Sequence, residues 1–273
     1  MHDFQSPLAP LRKGKKFKRR QLIYYRDLLW ELVVRDLKLL YKRSLLGIAW
    51  TLLNPLLQLV VFSFVFRAIL RGLNIEHYIS YAFSGILIWT WTQTALFHAT
   101  GLITGNRPLI RQPGFPVAIL PIVTVTTGLI HFLLALPALC IFLFIEQVQM
   151  SSSLLLFPIA VILQFLITLS LAYPLAALNV TFRDTQHTLG VLLQLLFYLL
   201  PIFYTIEQVP AAFRTYYRCN PFVILIDTYR AVLIDGRFPE WPALFSLVIL
   251  CALLLPIGYR IFKHQSARFV EEV

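Results

Sequence analysis

The stretch Ser44–Phe66, SLLGIAWTLLNPLLQLVVFSFVF, constrains this chain more than any other, because it carries no charge over a length that fits a bilayer. A helix of about 20 apolar residues crosses the hydrocarbon core. The basic run Arg35–Arg43 leads straight into it and marks that end as the one held inside the cell. Asn54 and Gln58 lie within the stretch, and polar groups inside a span face protein or a water-filled path in preference to lipid. Other uncharged runs follow: Ile79–Thr100 (within 77–106), a long run within 112–145, Leu154–Leu178, Thr188–Ile206 and Trp241–Tyr259. Only 14% of residues are charged, where a soluble domain carries about 25%. The expected fold class is therefore an all-α membrane protein, with six transmembrane helices over residues 44–262.

Six spans place both termini on one side. The excess of Lys and Arg then falls entirely on the segments assigned to the inside, and the outer segments balance, so both termini are expected in the cytoplasm. That location accounts for the net charge of +11 without nucleic acid as a partner. Residues 1–20 form a tail with a basic cluster from Arg12 to Arg20, either a contact for anionic lipids or a device that only fixes topology. Polar and basic sequence precedes the first apolar run, so no cleavable signal peptide is expected. Asp27, Glu31, Arg35, Lys38 and Lys42 recur at helical spacing, with Tyr25, Leu29, Leu32, Val33 and Leu40 on the other side. This predicts an amphipathic interface helix over 21–43. Residues 263–273 form a cytoplasmic C-terminal tail.

The segment 207–240 is expected outside, yet its run Pro221–Ile234 is mostly apolar and too short to span. A re-entrant helix fits it, with a helix lying on the outer surface as the alternative; the preceding QVPAAFRTYYRCN suits a second short helix. Asp227 and Arg230 stand three apart, a spacing at which they pair on one helix face.

Several chemistries are absent from the sequence. It has no phosphate-binding glycine loop, and Cys140, Cys219 and Cys251 have no metal or redox spacing. No Asp or Glu falls inside the expected spans, which argues against a proton-coupled carrier. An integral membrane acyl- or glycosyl-transferase would need clustered acids or histidines at one membrane face, and none is visible. His98 and His131 are the intramembrane histidines, each better read as a hydrogen-bonded packing residue.

Amides and rings do form a pattern. Trp50, Asn54 and Gln58 share a face of the first span; Tyr81, Gly85, Trp89, Gln93 and Phe97 follow at steps of four in the second; Gln194 and Tyr198 share a face in the fifth. Rings with apolar faces and uncharged hydrogen-bonding groups suit a conduit wall along which sugar rings slide. The alternative is an aromatic interfacial belt with amides joining helices. Between the second and third spans, residues 101–116 carry Arg107, Arg111 and Phe115 among prolines, a short cytoplasmic segment shaped to dock on a partner.

The run RDLKLLYKRSLLGIAWTLLNP (35–55) resembles the approach to the first span of type-2 ATP-binding-cassette permeases that export polysaccharides, through Arg35, Asp36, Lys38, Tyr41, Ser44, Leu46, Gly47, Trp50 and Pro55. LIRQPGFP (109–116), Phe182–Asp184, PIFY (201–204) and Cys219–Pro221 resemble the same family in the same order. The resemblance implies a homodimer in the bacterial inner membrane, with short re-entrant helices before the last span. It implies a separate cytoplasmic ATPase dimer that holds ATP and Mg, so this chain binds no cofactor and is not itself an enzyme. It implies a lipid-linked polymer as cargo: O antigen, capsule or teichoic acid. By position, Arg107–Pro116 is the coupling helix and Tyr24–Tyr41 the interface helix. Within the same architecture, a drug, haem or lipid exporter is the alternative.

Overall fold

The structure is a computed structural model that describes residues 15–69, 75–266 and 269. Among these residues helix dominates and no strand occurs. Of the basic cluster expected over Arg12–Arg20, Arg12 and Lys13 lie outside the described residues and the rest falls in the first turns of a helix; most of the chain after Ser266 also lies outside them. Helix α1 runs Lys15–Tyr41, earlier than the expected start at 21. It ends where Arg43 takes a left-handed backbone (φ 66°), an elbow that a continuing helix cannot accommodate. A 3-10 turn at Gly47–Ala49 then leads into α2, Trp50–Ser63, which passes into a π-helical turn, Phe64–Ile69.

Helix α3 (Tyr78–Thr100) is followed by two short turns, α4 (Leu102–Gly105) and α5 (Arg107–Ile110). Helix α6 (Ile119–Ile145) begins after Pro116 and carries Pro121 in its first turn, where the missing N–H would have no partner anyway. Helix α7 (Phe157–Thr181) and α8 (Thr185–Leu199) come next. Helix α8 stops short of the expected Ile206 because Pro201 forces Leu200 into extended backbone (ψ 144°). The expected short helices appear as α9 (Ala211–Cys219) and α10 (Pro221–Leu233), followed by α11 (Trp241–Ser266).

Four helical stretches among the described residues are long and apolar enough to cross a membrane: Gly47–Phe66, Ile119–Ile145, Ser152–Thr181 and Trp241–Ser266. Helix α3 has the length but is too rich in Ser, Thr, Trp and Gln to join them by composition. It is instead the centre of the bundle, packed on α6, α7 and α2, with Phe83, Ile86 and Trp89 almost fully buried. At 1.5 Å per residue the 15 residues of α8 reach only about 22 Å.

Small residues set the closest helix approaches, as they do where lipid supplies no hydrophobic drive between helices. A Cβ on Gly128 of α6 would lie 2.5 Å from the Trp91 ring of α3, whose indole N–H donates to the Val125 carbonyl at 3.1 Å. Gln164 of α7 is fully buried and donates to the Ile88 carbonyl (2.8 Å) and Thr92 hydroxyl (3.2 Å), while accepting from the Tyr229 hydroxyl of α10 (2.7 Å). That network ties α3, α7 and α10 together and satisfies an amide that would be costly to bury alone.

Glu146, just past the end of α6, accepts the backbone N–H groups of Ile79 (3.1 Å) and Ser80 (2.9 Å). Its carboxylate caps the first turn of α3, two donors that have no partner within the helix. Glu146→Ala is expected to cost about 1–2 kcal/mol. The melting temperature of the detergent-solubilised protein should drop by roughly 2–4 °C per kcal/mol. Glu146→Gln, which keeps one carbonyl acceptor, should fall between the two; an unshifted melt for the alanine variant would reject the cap.

Candidate functional site

A groove of about 540 Å³ runs between α2, α3 and α8. Gln58 and Phe62 line it from α2, Gln93, Thr94 and Phe97 from α3, and Gly190, Leu193, Gln194, Phe197 and Tyr198 from α8. Each helix contributes one glutamine, and none of the three amides has a protein hydrogen-bond partner among the described residues. No Asp, Glu, Lys, Arg or His lines it. An amide offers two donors and an acceptor without charge, so it matches hydroxyl groups, and the aromatic walls supply apolar faces. The surface suits a neutral, hydroxyl-rich ligand held weakly at many points. Gly190 allows the Phe97 ring to lie along α8: a Cβ there would stand 3.3 Å from it.

The structure brings together Gln58, Gln93, Phe97, Gln194 and Tyr198 of the expected wall residues. Trp50 and Asn54 lie on α2 towards the elbow and are exposed, outside the lining of the groove. Trp89 is not on the wall; it is 1% exposed and packs edge-on against Phe222 at 5.6 Å. Tyr81 is likewise elsewhere, beyond the groove, with its hydroxyl donating to the Tyr204 carbonyl at 2.9 Å. The reason is helical drift. A step of four residues advances 400°, so a stripe at steps of four turns by about 40° each time and cannot keep one face over four steps. The stripe starts in the core and reaches the groove only at Gln93 and Phe97.

Phe62, Thr94, Gly190 and Leu193 were not singled out by the sequence pattern. Phe62 follows Gln58 at i+4, a spacing that does extend the first-span stripe.

At the end of the groove remote from the elbow, Phe203 stacks on Phe62 with ring centroids 4.1 Å apart and on Phe66 at 5.5 Å. Phe197 meets Phe203 edge-on at 5.5 Å. Tyr204 beside them donates to the Leu199 carbonyl at 2.5 Å. The ring cluster adjoins the groove through Phe62 and Phe197, which line it.

The expected Asp227–Arg230 pair does not form. Asp227 pairs with Arg237 (2.9 Å), while Arg230 is turned into the bundle and donates to backbone carbonyls. Residues three apart on a helix differ by about 60° in direction, and here that difference separates a half-exposed face from the core.

At the other end, the segment 101–116 is anchored by Leu102, Ile103 and Ile110, all buried, and by Phe115 against the core. Arg107 and Arg111 stand exposed. Arg35 of α1 pairs with Asp36 (2.7 Å) and donates to the Asn106 side chain in this segment at 3.0 Å. The elbow itself is tied by polar contacts: the Tyr41 hydroxyl meets Thr51 Oγ1 (2.5 Å) and His131 Nδ1 (3.0 Å). No group of His, Cys, Asp and Glu among the described residues is placed to hold a metal.

Residues 27–234 match the family model described as ABC-2 type transporter. The chain is 35% identical over 256 residues to an O-antigen export system permease protein RfbA of Myxococcus xanthus, covering 93% of this chain and 98% of that protein. It is 29% identical over 249 residues to an O-antigen export system permease protein RfbA of Klebsiella pneumoniae, covering 91% of this chain and 95% of that one.

Proposed function

The chain belongs to the ABC-2 type transporter family, and from that premise we propose that it is the membrane subunit of an ATP-driven exporter carrying a lipid-linked O-antigen polysaccharide out of the cytoplasm across the inner membrane. The observation that carries this reading is the groove: an uncharged wall of unpaired amides and rings contributed by α2, α3 and α8. Its reverse side is open, and α2 and α8 expose apolar residues beside it, among them Val60, Val61, Leu195 and Leu199. A second copy of the chain set against these faces completes the conduit.

In this reading α3 and α8 join the four apolar helices as six spans, α1 lies in the interface plane, and α9–α10 are re-entrant from the outer side. Both termini are cytoplasmic. The exposed Arg107 and Arg111 dock on a separate ATPase dimer, and the Arg35–Asn106 bond passes its movement to α1. That ATPase holds ATP and Mg; this chain supplies the path and no chemical step.

Purified alone, the chain is expected to hydrolyse no ATP. Co-expressed with the ATPase of its export system it should co-purify, and ATP hydrolysis should appear with the complex. Cells lacking the chain should retain the polymer inside and regain surface display when it is restored. Hydrolysis by the isolated chain, or failure to associate with any such ATPase, would overturn the assignment.

A further inference from the structure

Arg230 is 5% exposed, and no carboxylate lies within ion-pair distance of it among the described residues. Its guanidinium donates to the Pro201 carbonyl (2.6 Å), the Ile202 carbonyl (2.9 Å) and the Tyr81 carbonyl (3.1 Å). Its central carbon sits 3.4 Å above the Tyr81 ring. A cation stripped of water persists only where dipoles and ring faces replace its hydration; these groups do so for both terminal nitrogens, while the buried Nε has no hydrogen-bond partner among the described residues. Space is made for it by Gly85, where a Cβ would come within 2.9 Å of Nη2 and 3.2 Å of the Ile202 side chain.

Arg230 and Tyr81 converge on one short piece of chain. Arg230 holds the carbonyls of residues 201 and 202, and the Tyr81 hydroxyl holds that of Tyr204. The turn so fixed carries Phe203, 2% exposed, whose ring stacks on Phe66 and on Phe62, a lining residue of the groove. The two sides of that stack are held differently. Phe203 is fixed by hydrogen bonds from α3 and α10, whereas Phe62 and Phe66 belong to the candidate span least buried within a single chain, 11%, where the helix passes into its π-helical turn. A π turn is rare and is often found at functional positions.

We propose that Arg230 is a positioning residue for the closed conduit: it pins the Leu200–Tyr204 turn so that Phe203 is a fixed stop, and the path opens when α2 carries Phe62 and Phe66 away from it. This rests on reading the groove as the polymer path. The buried cation and the ring stack are then one device, in which the α10 side stays still and the α2 side moves.

The test is the resting leak, read as ion conductance per molecule in bilayers holding the intact transporter without ATP. Phe203→Ala and Arg230→Gln are expected to raise it about tenfold or more, as the closed state loses its stop or the stop its support. Arg230→Lys, whose ammonium still reaches carbonyls, should restore most of the closure. Phe203→Ala leaves Arg230 in place, so it reports even if Arg230→Gln assembles poorly. A merely structural role predicts lower yield for Arg230→Gln with unchanged conductance in Phe203→Ala, and that result overturns the proposal. Polymer export by groove-lining variants is measured in parallel. Leak that depends on Phe203 and Arg230 beside export indifferent to the groove removes the conduit reading and keeps the latch; export that needs the groove beside an indifferent leak does the reverse.

Discussion

Replacing Gly258 with leucine is expected to abolish assembly of the bundle. Among the described residues, helices α7 and α11 make the most extensive helix pair, and Gly258 is where their backbones meet. A Cβ at this position would collide with the Ser170 carbonyl oxygen and stand 3.1 Å from the Pro174 ring. The two neighbours are related. Pro174 lacks the N–H that would bond the carbonyl four residues back, which is Ser170, so that oxygen is released from its helix and faces α11. Neither obstacle is the end of a flexible side chain, so the helices must separate along their length to admit anything larger. Overpacking a tight core site costs typically about 1–3 kcal/mol, the range expected for Gly258→Ala. Leucine has no rotamer that escapes between two backbones. Size-exclusion profiles and melting curves in detergent check both: alanine should melt several degrees below the parent and leucine should give no monodisperse peak. A leucine variant melting within about 2 °C of the parent would show that this contact does not hold the bundle.

Much of the helix content was legible because a long uncharged run admits few structures other than a buried or membrane-spanning helix. The ends of those helices were less so. Proline decided some of them, at Pro116 and Pro201, but the elbow after α1 depends on a left-handed Arg43, and nothing in an arginine announces that. Helix α3 was legible as a helix, and its Ser, Thr and Trp residues are tolerable because α6, α7 and α2 surround it.

The site was half legible, for a geometric reason. Spacing gives the face a residue takes relative to near neighbours, over one or two turns. It placed Gln194 with Tyr198 and Gln93 with Phe97 correctly; it failed for Tyr81, about three turns before Gln93, and also for Trp89 and Asn54, each a single step of four from a groove glutamine, where the drift of about 40° already takes the side chain off the wall. Gln164 left a signal, an amide in an otherwise apolar run, which in a span points to a buried partner. Glu146 left none, since its partners are backbone N–H groups more than sixty residues earlier in the chain. Asp227 and Arg230 show the limit from the other side. Their spacing was right for a pair, but Arg237 returns to Asp227 through a turn closed by its own N–H to the Ala231 carbonyl at 2.9 Å, and so takes the acid.

Converting Gln58, Gln93 and Gln194 together to leucine is expected to slow export by roughly two orders of magnitude while leaving the protein folded. The argument begins with what these amides do not do. None is bonded to protein among the described residues and each is at least partly exposed in the groove, so their loss breaks no internal contact. Leucine is close to glutamine in volume, and apolar surface is no liability in a bilayer. A hydroxyl-rich polymer, in contrast, meets three places where a hydrogen bond is replaced by nothing. Each such loss costs about 1 kcal/mol, and about 3 kcal/mol at the highest point of the path is a factor of about 150 in rate. Single variants should slow export about fivefold each, so the amides act as a graded surface and no one of them as an essential anchor. The measurement is the amount of polymer at the cell surface over time, normalised to the amount of assembled transporter, with ATP hydrolysis by the complex as a check that coupling survives. Export at the parental rate in the triple variant would show that the polymer does not pass along this wall.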